Sequence, residues 1–163
     1  MTLTDRAKLN FNSDYNCAES VLLALSQRIH SQSRIVQRII PRIATGFGGG
    51  MARNGDTCGA LVGGIMAIGL AFGRDNSKQS RDTCYLATNQ LYRDFVKEFR
   101  SCKCRELIGV NLNTARGIQI YSKKIHYERC NPIVTWVTKR TNQIVQKHRH
   151  HRNSQSDSDW MRF

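Results

Sequence analysis

The sequence has few of the features that mark membrane and secreted proteins. Only two of its 163 residues are proline, and the longest uninterrupted apolar run, from Ala60 to Phe72, has 13 residues. A membrane-spanning helix needs about 20 apolar residues, so no membrane span is expected. The N-terminal residues 1–8 contain neither the apolar core nor the cleavage site of a secretory signal. We therefore expect a cytoplasmic chain, in which cysteines serve more often as metal ligands or redox thiols than as disulfides.

Acidic residues are also scarce. Twelve Asp and Glu stand against 25 Lys and Arg, which gives a formal net charge of +13. The excess is +5 over residues 1–100 and +8 over residues 101–163. With so few carboxylates, we find no acidic pair at helical spacing on an apolar face and no Ser-His-Asp order. A net positive charge of this size can attract nucleic acid, anionic lipid or acidic proteins, but it does not show which of these partners the protein binds.

The apolar residues recur with helical periodicity along nearly the whole chain. The length allows one domain, so we expect an all-α, single-domain helical bundle of about five to seven helices. Ser13 or Asp14 is the expected N-cap of the first predicted helix. Residues 1–147 should form the helical four-cysteine domain, and residues 148–163 a basic, disordered tail. The predicted helices cover residues 15–30, 33–44, 57–72, 77–99, 112–125 and 131–147.

The segment 57–72 is apolar on all sides and should be the buried central helix. Its small residues recur every four positions and form a stripe that would let another helix approach closely. The members of this stripe are Gly59, Gly63, Ala67 and Ala71. The glycine run at residues 46–50 is similar to a phosphate loop, but no Gly-Lys-Ser/Thr follows it, and a tight turn between packed helices is favoured.

Four of the six cysteines lie where predicted helices or turns begin: Cys17, Cys58, Cys104 and Cys130. A helix start presents unpaired N–H groups and a partial positive charge. Both favour the thiolate, which is the form that attacks substrates and binds metals. From the residues alone, a functional cysteine cluster and a set of ordinary buried cysteines both stay open.

The other two cysteines and two of the histidines are expected to lie outside any functional site. Cys84 lies inside a predicted helix and is expected to be a small buried apolar residue. Cys102 forms a C-x-C pair with Cys104, a spacing that is poorly placed for an intrachain disulfide. His30 and His126 are expected at the surface without partners.

A short motif adds a resemblance to a known family. Residues 58–63, with the sequence CGALVG, match the Cys-Gly-Ala-x-x-Gly signature of the C_GCAxxG_C_C family, whose members are described as redox-active. Residues 15–18, 45–51 and 104–107 supply supporting matches. The resemblance covers roughly residues 8–140, and the combination of motifs is more specific than any one of them.

The resemblance implies a centre made of the four recurring family cysteines, which correspond by motif to Cys17, Cys58, Cys104 and Cys130. Some relatives resemble a domain of split-Soret cytochromes c, in which an iron–sulfur centre has been associated with such cysteines. Those cytochromes attach haem through Cys-x-x-Cys-His, which this chain lacks, so haem is not implied. The chain departs from the family at Asp14, where relatives often have glycine, and in its basic tail.

The resemblance implies a redox-active protein that binds an iron–sulfur cluster through these four cysteines, for electron transfer or redox sensing. Alternatively, the thiols themselves carry out thiol–disulfide chemistry, with Cys58 as the attacking thiolate and Cys17 as the resolving cysteine. Either function needs a redox partner protein, and assembly as a homodimer also stays open. Whether the chain is an enzyme, an oxidoreductase, or only an electron carrier stays open as well.

Two functions without redox chemistry are further alternatives. The same four cysteines could form a tetrahedral structural zinc site. Basic segments between Lys123 and Arg152, with Tyr121, Tyr127 and Trp136 among them, could bind nucleic acid. No helix-turn-helix or RNA-binding motif supports the second alternative.

Overall fold

The structure, a computed structural model, describes residues 1–29 and 34–159. Within these ranges the chain is helical and has no β-strand beyond an isolated bridge between Thr57 and Lys103. The all-α, single-domain bundle is therefore confirmed. Its helices are α1 (Leu3–Asn12), α2 (Cys17–Ile29), α3 (Arg34–Ala44), α4 (Gly59–Phe72), α5 (Asp82–Phe99), α6 (Cys104–Ile108), α7 (Ala115–Ile120) and α8 (Asn131–Asp159). A 3-10 turn (Thr45–Phe47) follows α3, and a π-helical segment (Tyr121–Cys130) joins α7 to α8.

Helix α4 is the buried centre of the bundle, as its composition predicts. It packs against α2, α5 and α8. Leu61, Ala67 and Ile68 are completely buried, because neighbours cover α4 on several sides. No helix in the described ranges is both long and apolar enough to cross a membrane.

The stripe of small residues on α4 lets the backbone of α2 approach closely. A Cβ atom at Gly63 would lie 2.5 Å from the carbonyl oxygen of Ala18, and one at Gly59 would lie 2.6 Å from the Cys17 sulfur. Neither distance is compatible with a side chain. The close approach brings the first turn of α2 against the first turn of α4, where two of the predicted site cysteines lie.

The Gly63→Ala variant should therefore be less stable than the wild-type protein by about 2 kcal/mol, because the added methyl group forces α2 and α4 apart. Gly69, on the same helix, has no atom within 4 Å of the position that a Cβ would take, apart from its chain neighbours and the backbone of its own helix. The Gly69→Ala variant should be more stable by about 0.5–1 kcal/mol, since alanine loses less backbone entropy in a helix. Urea unfolding of both variants measures the difference, and equal effects would contradict the tight packing of α2 on α4.

The N-cap predicted for α2 is wrong: Asn16, and not Ser13 or Asp14, caps this helix. Its side-chain oxygen accepts hydrogen bonds from the backbone N–H groups of Ala18 at 2.9 Å and Glu19 at 3.1 Å. The Glu19 carboxylate in turn accepts from the Asn16 N–H at 2.8 Å, which completes a capping box. Asp14 instead has φ 67°, in the left-handed region that glycine adopts more readily.

The last part of the chain is one continuous helical path from Ala115 to Asp159, without the new helix start predicted at Asn131 and Pro132. In an α-helix the ring of proline clashes with the carbonyl group four residues earlier. The wider turn of the preceding π-helical segment accommodates Pro132. Cys130 therefore lies inside a continuous helix and does not precede a helix N-terminus.

Helix α8 continues beyond residue 147, where the sequence predicts the end of the folded domain. Residues 133–159 contain no proline or glycine that would stop a helix, and the backbone is helical as far as Asp159. Residues 160–163 lie outside the described ranges. The domain boundary at residue 147 and the disorder of the following segment stay predictions.

Candidate functional site

The structure brings the four family cysteines together. Cys17, Cys58, Cys104 and Cys130 line one small cavity of about 20 Å³, together with Ala60, Leu107, Ile108 and Ile133. The four come from segments separated by as many as 113 residues of sequence. Cys84 and Cys102, both half-buried, do not line this cavity.

A short pairing of two loops places Cys58 beside Cys104. The Cys58 N–H donates to the carbonyl oxygen of Cys102 at 2.8 Å, and the Cys104 N–H donates to that of Asp56 at 2.7 Å. Lys103 also forms a salt bridge with Asp56 at 3.6 Å, on an exposed surface. The backbone hydrogen bonds, and not the exposed ion pair, hold Cys58 beside Cys104, because surface salt bridges contribute little to stability.

The glycine run at residues 46–50 packs directly against two of the cysteines. The N–H group of Gly49 donates a hydrogen bond to the Cys17 sulfur. A Cβ atom at Gly50 would lie 2.7 Å from the Cβ of Cys104 and 2.5 Å from the carbonyl oxygen of Asp56. The run is thus a tight turn, as favoured from the sequence, and its lack of side chains lets the backbone reach the cysteine cavity.

Five consecutive residues, the last two of this glycine run and the three that follow it, have left-handed backbone. The φ angles are 66° at Gly49, 70° at Gly50, 58° at Met51, 51° at Ala52 and 71° at Arg53. Left-handed backbone costs a residue with a side chain roughly 1–2 kcal/mol. Such strained positions cluster at functional sites, where the surrounding structure holds them. The segment at residues 49–53, which we call the left-handed turn, forms one wall beside the cysteines.

Removing one strained side chain from the left-handed turn should stabilise the protein. The Ala52→Gly variant should gain about 0.5–1 kcal/mol, because glycine adopts positive φ without steric cost and the exposed Ala52 methyl group contributes little packing. The matched variant Ala71→Gly also loses one methyl group, but from right-handed helix α4, and should lose about 1 kcal/mol. Thermal unfolding shows whether each variant is more or less stable than the wild-type protein. Destabilisation by Ala52→Gly would show that residue 52 is not strained.

Burial, and not the helix N-terminus, controls the protonation of the cysteine thiols. Burial raises the pKa of Cys17, and hydrogen bonds from the N–H groups of Gly49 and Ala18 offset part of this. Burial and the charge of Cys17 raise the pKa of Cys58 well above its usual value. The same two causes raise the pKa of Cys104 to about 12. A helix terminus contributes about 0.3–1 kcal/mol, whereas desolvation can shift a pKa by several units.

The thiolates predicted from the helix starts are therefore not the resting form of the cysteines. In the metal-free protein Cys58, Cys104 and Cys17 are protonated at neutral pH, since burial raises the pKa of each. A metal ion that displaces these protons would restore the thiolate form, and metal binding would then release protons.

Cys130 has a hydrogen-bond partner that its sequence context does not suggest. Burial, followed by the charges of Cys17 and Cys104, raises the pKa of Cys130, and a hydrogen bond with the Tyr121 hydroxyl lowers it. Nine residues of α-helix would turn through about 900° and place Tyr121 and Cys130 on opposite faces. The wider π-helical turn instead brings nine residues through roughly two turns, so both side chains share one face.

The hydrogen bonds continue from Tyr121 to the surface. The Tyr121 hydroxyl lies 3.3 Å from Nδ1 of His126, and Nε2 of His126 lies 3.1 Å from Oδ1 of Asn12. Asn131 donates to the same Asn12 oxygen at 3.1 Å, so the neutral imidazole donates from Nε2 and accepts at Nδ1. Phe11 stacks on the imidazole with ring centroids 4.1 Å apart.

His126 was expected at the surface without partners, and this expectation is wrong. The ring is half-buried and hydrogen-bonded at both nitrogens, and burial lowers its pKa. His30 lies outside the described ranges. The spacing of Tyr121, His126 and Asn131, five residues apart, is the one sequence signal that points to this network, and it has meaning only in a π-helix.

The cysteine side chains do not form a preorganised metal site. In residues 1–29 and 34–159, no group of three or more His, Cys, Asp or Glu side chains has the arrangement of a metal-ligand set. Binding of a metal would require the thiol groups to turn towards a common centre. The cavity supplies four sulfur donors, and its surroundings supply backbone N–H groups.

A family model described as "Putative redox-active protein (C_GCAxxG_C_C)" matches residues 15–144. The match includes all four cavity cysteines and the Tyr121–His126 pair. No curated protein and no solved structure matches the chain.

Proposed function

The chain belongs to the C_GCAxxG_C_C family, and we propose that it is a redox protein whose four cavity cysteines hold an iron–sulfur cluster, for electron transfer or redox sensing. The observation that carries this proposal is that Cys17, Cys58, Cys104 and Cys130 line one cavity. Cysteine thiolates are the usual ligands of iron–sulfur clusters. When bound, such a cluster would supply one-electron transfer, which none of the side chains around the cavity provides readily.

The surroundings of the cysteines suit an anionic group. Backbone N–H groups of Ala18, Gly49 and Ala60 donate to the Cys17 sulfur, and those of Ala60 and Leu61 donate to the Cys58 sulfur. Hydrogen bonds of this kind stabilise a thiolate ligand and raise the potential of a cluster. Helices α2 and α4 also begin at these two cysteines, so their positive ends face the same space.

The space available beside the cysteines is larger than this small cavity. About 20 Å³ holds a single water or ion and is too small for a cluster. A cleft of about 560 Å³ shares Cys17, Cys104 and Cys130 with the cavity. A cluster bound by the four sulfurs would therefore occupy part of this cleft as well, once the thiol side chains turn towards it.

The decisive experiment is metal and sulfide analysis of protein isolated and reconstituted without oxygen. The proposal predicts iron and acid-labile sulfide in equal amounts and a visible absorption band that reductant bleaches. Iron-free, colourless protein after reconstitution would contradict it. Recovery of one zinc ion per chain instead would assign the cysteines to a structural zinc site, which cannot carry electrons because Zn²⁺ has no redox chemistry.

Thiol–disulfide exchange between Cys58 and Cys17 is the second candidate. The Cys17 sulfur lies 2.6 Å from the position of a Cβ at Gly59, directly beside Cys58. In this reaction the two thiols would form a disulfide while their two electrons and two protons reduce the disulfide of a partner protein. The raised pKa of Cys58 opposes this function, because the thiolate is the attacking form. Peptide mapping after oxidation of the metal-free protein tests whether these two cysteines pair.

A further inference from the structure

The cleft outside the cysteine cavity has the dimensions of a ligand site. Its volume of about 560 Å³ lies within the usual range for small-molecule pockets, roughly 300–1,000 Å³. Cys17, Cys104 and Cys130 form one side of it, and apolar side chains, including Phe11 and Leu112, form another. A cluster held by the cysteines would fill only the part of this cleft beside the sulfurs, so the redox function proposed above does not account for the part lined by Phe11, Leu112 and Arg53.

Arg53 is a cation in the lining of this cleft without a partner. Its guanidinium makes no hydrogen bond or ion pair with any residue in the described part of the chain. Arg105, which donates to the carbonyl oxygen of Asn54, and Arg140, which donates to the Asp94 carboxylate at 2.7 Å, are paired, whereas exposed arginines such as Arg93 and Arg116 are, like Arg53, unpaired within the described residues. What distinguishes Arg53 from these is its place in the lining of the cleft. An unpaired guanidinium beside apolar side chains is suited to an anion with an apolar body.

The backbone of Arg53 supports a role for its side chain. Arg53 is the last residue of the left-handed turn, with φ 71°, and its N–H donates to the carbonyl oxygen of Gly48 at 3.0 Å. Glycine would adopt this conformation at lower cost. The strained backbone holds the base of the Arg53 side chain against Gly49, whose added Cβ would lie 3.0 Å from the Arg53 Cα. Strain of this kind is found at ligand-binding positions.

We propose that this cleft binds a small organic anion, with a carboxylate or similar group on Arg53 and an apolar body against Phe11 and Leu112. Asp14 also lines the cleft, and its carboxylate opposes a bound negative charge. The site thus distinguishes ligands by charge: Arg53 attracts an anion, Asp14 limits its affinity, and Phe11 and Leu112 favour a ligand with an apolar body.

Isothermal titration of the reduced, metal-free protein with 2-naphthoate tests the proposal. The wild-type protein should bind one molecule saturably, and Arg53→Gln should weaken binding about tenfold through loss of a charge-assisted hydrogen bond. Asp14→Asn should strengthen it about threefold by removing a like charge. The control Arg74→Gln removes the same charge from a position outside the cleft lining and should leave the Kd unchanged. Binding of the neutral analogue 2-naphthylmethanol should not respond to Arg53→Gln or Asp14→Asn.

Two results would overturn this inference: no saturable binding of 2-naphthoate to the wild-type protein, or equal Kd values for Arg53→Gln and Arg74→Gln. Either result leaves the iron–sulfur proposal intact, because the titration uses metal-free protein. Failure of cluster reconstitution in turn leaves the anion site intact. The two proposals are therefore tested separately.

Discussion

After anaerobic reconstitution, the Cys17→Ser variant should contain at least about tenfold less iron than the wild-type protein. This is the largest effect expected of any single substitution. The charge of Cys17 raises the pKa of Cys58, Cys104 and Cys130 alike, so its sulfur interacts with all three of the other cavity cysteines. Its sulfur also receives backbone hydrogen bonds from three different segments of the chain. Serine keeps the size of the side chain but is a poor ligand for iron. Iron analysis and visible absorption measure the loss.

The matched control is Cys84→Ser. Cys84 is also half-buried, but it lies on α5 and does not line the cavity, so its replacement should leave iron content unchanged. Cys102→Ser is a stricter control, because Cys102 is adjacent to Lys103 and Cys104 and only its backbone carbonyl takes part in the site. Equal iron content in Cys17→Ser and Cys84→Ser would contradict a cluster held by the cavity cysteines.

Most of the helical framework could be predicted from the sequence, because apolar periodicity records which face of a helix is buried. The periodicity places α2, α4 and α5, and the spacing of Gly59 and Gly63 predicts the close approach of another helix, which the structure identifies as α2. Helix α1 was not predicted, since only Ala7 and Phe11 of its ten residues are buried and the apolar pattern is correspondingly weak. The π-helical segment was also beyond prediction, because apolar residues at a 3.6-residue period do not indicate it.

The cysteines of the candidate site follow from a motif, but their environment does not. The sequence shows that Cys17 and Cys58 begin helices, which taken alone predicts thiolates. It does not show how deeply three-dimensional packing buries their sulfurs, and burial reverses the direction of the pKa shift. The left-handed turn could not be predicted at Met51, Ala52 and Arg53 either, since residues with side chains rarely adopt positive φ.

The reduced, metal-free protein should lose stability steeply above about pH 9, the usual pKa of an exposed thiol. Between pH 9 and the raised pKa of Cys104, about 12, this thiol ionises in the unfolded chain but stays protonated in the folded one. The unfolded state then binds fewer protons, so the free energy of unfolding falls as pH rises, by up to about 1.4 kcal/mol per pH unit for each such thiol. Urea unfolding at pH 7.5 and 10.5 measures how far the free energy of unfolding falls between these two pH values. The Cys104→Ser variant lacks this thiol proton, so its free energy of unfolding should fall less than that of the wild-type protein, and the difference is the contribution of one thiol. An equal fall in both proteins would mean that Cys104 titrates as an exposed thiol, and burial would then not be what keeps the cavity cysteines protonated.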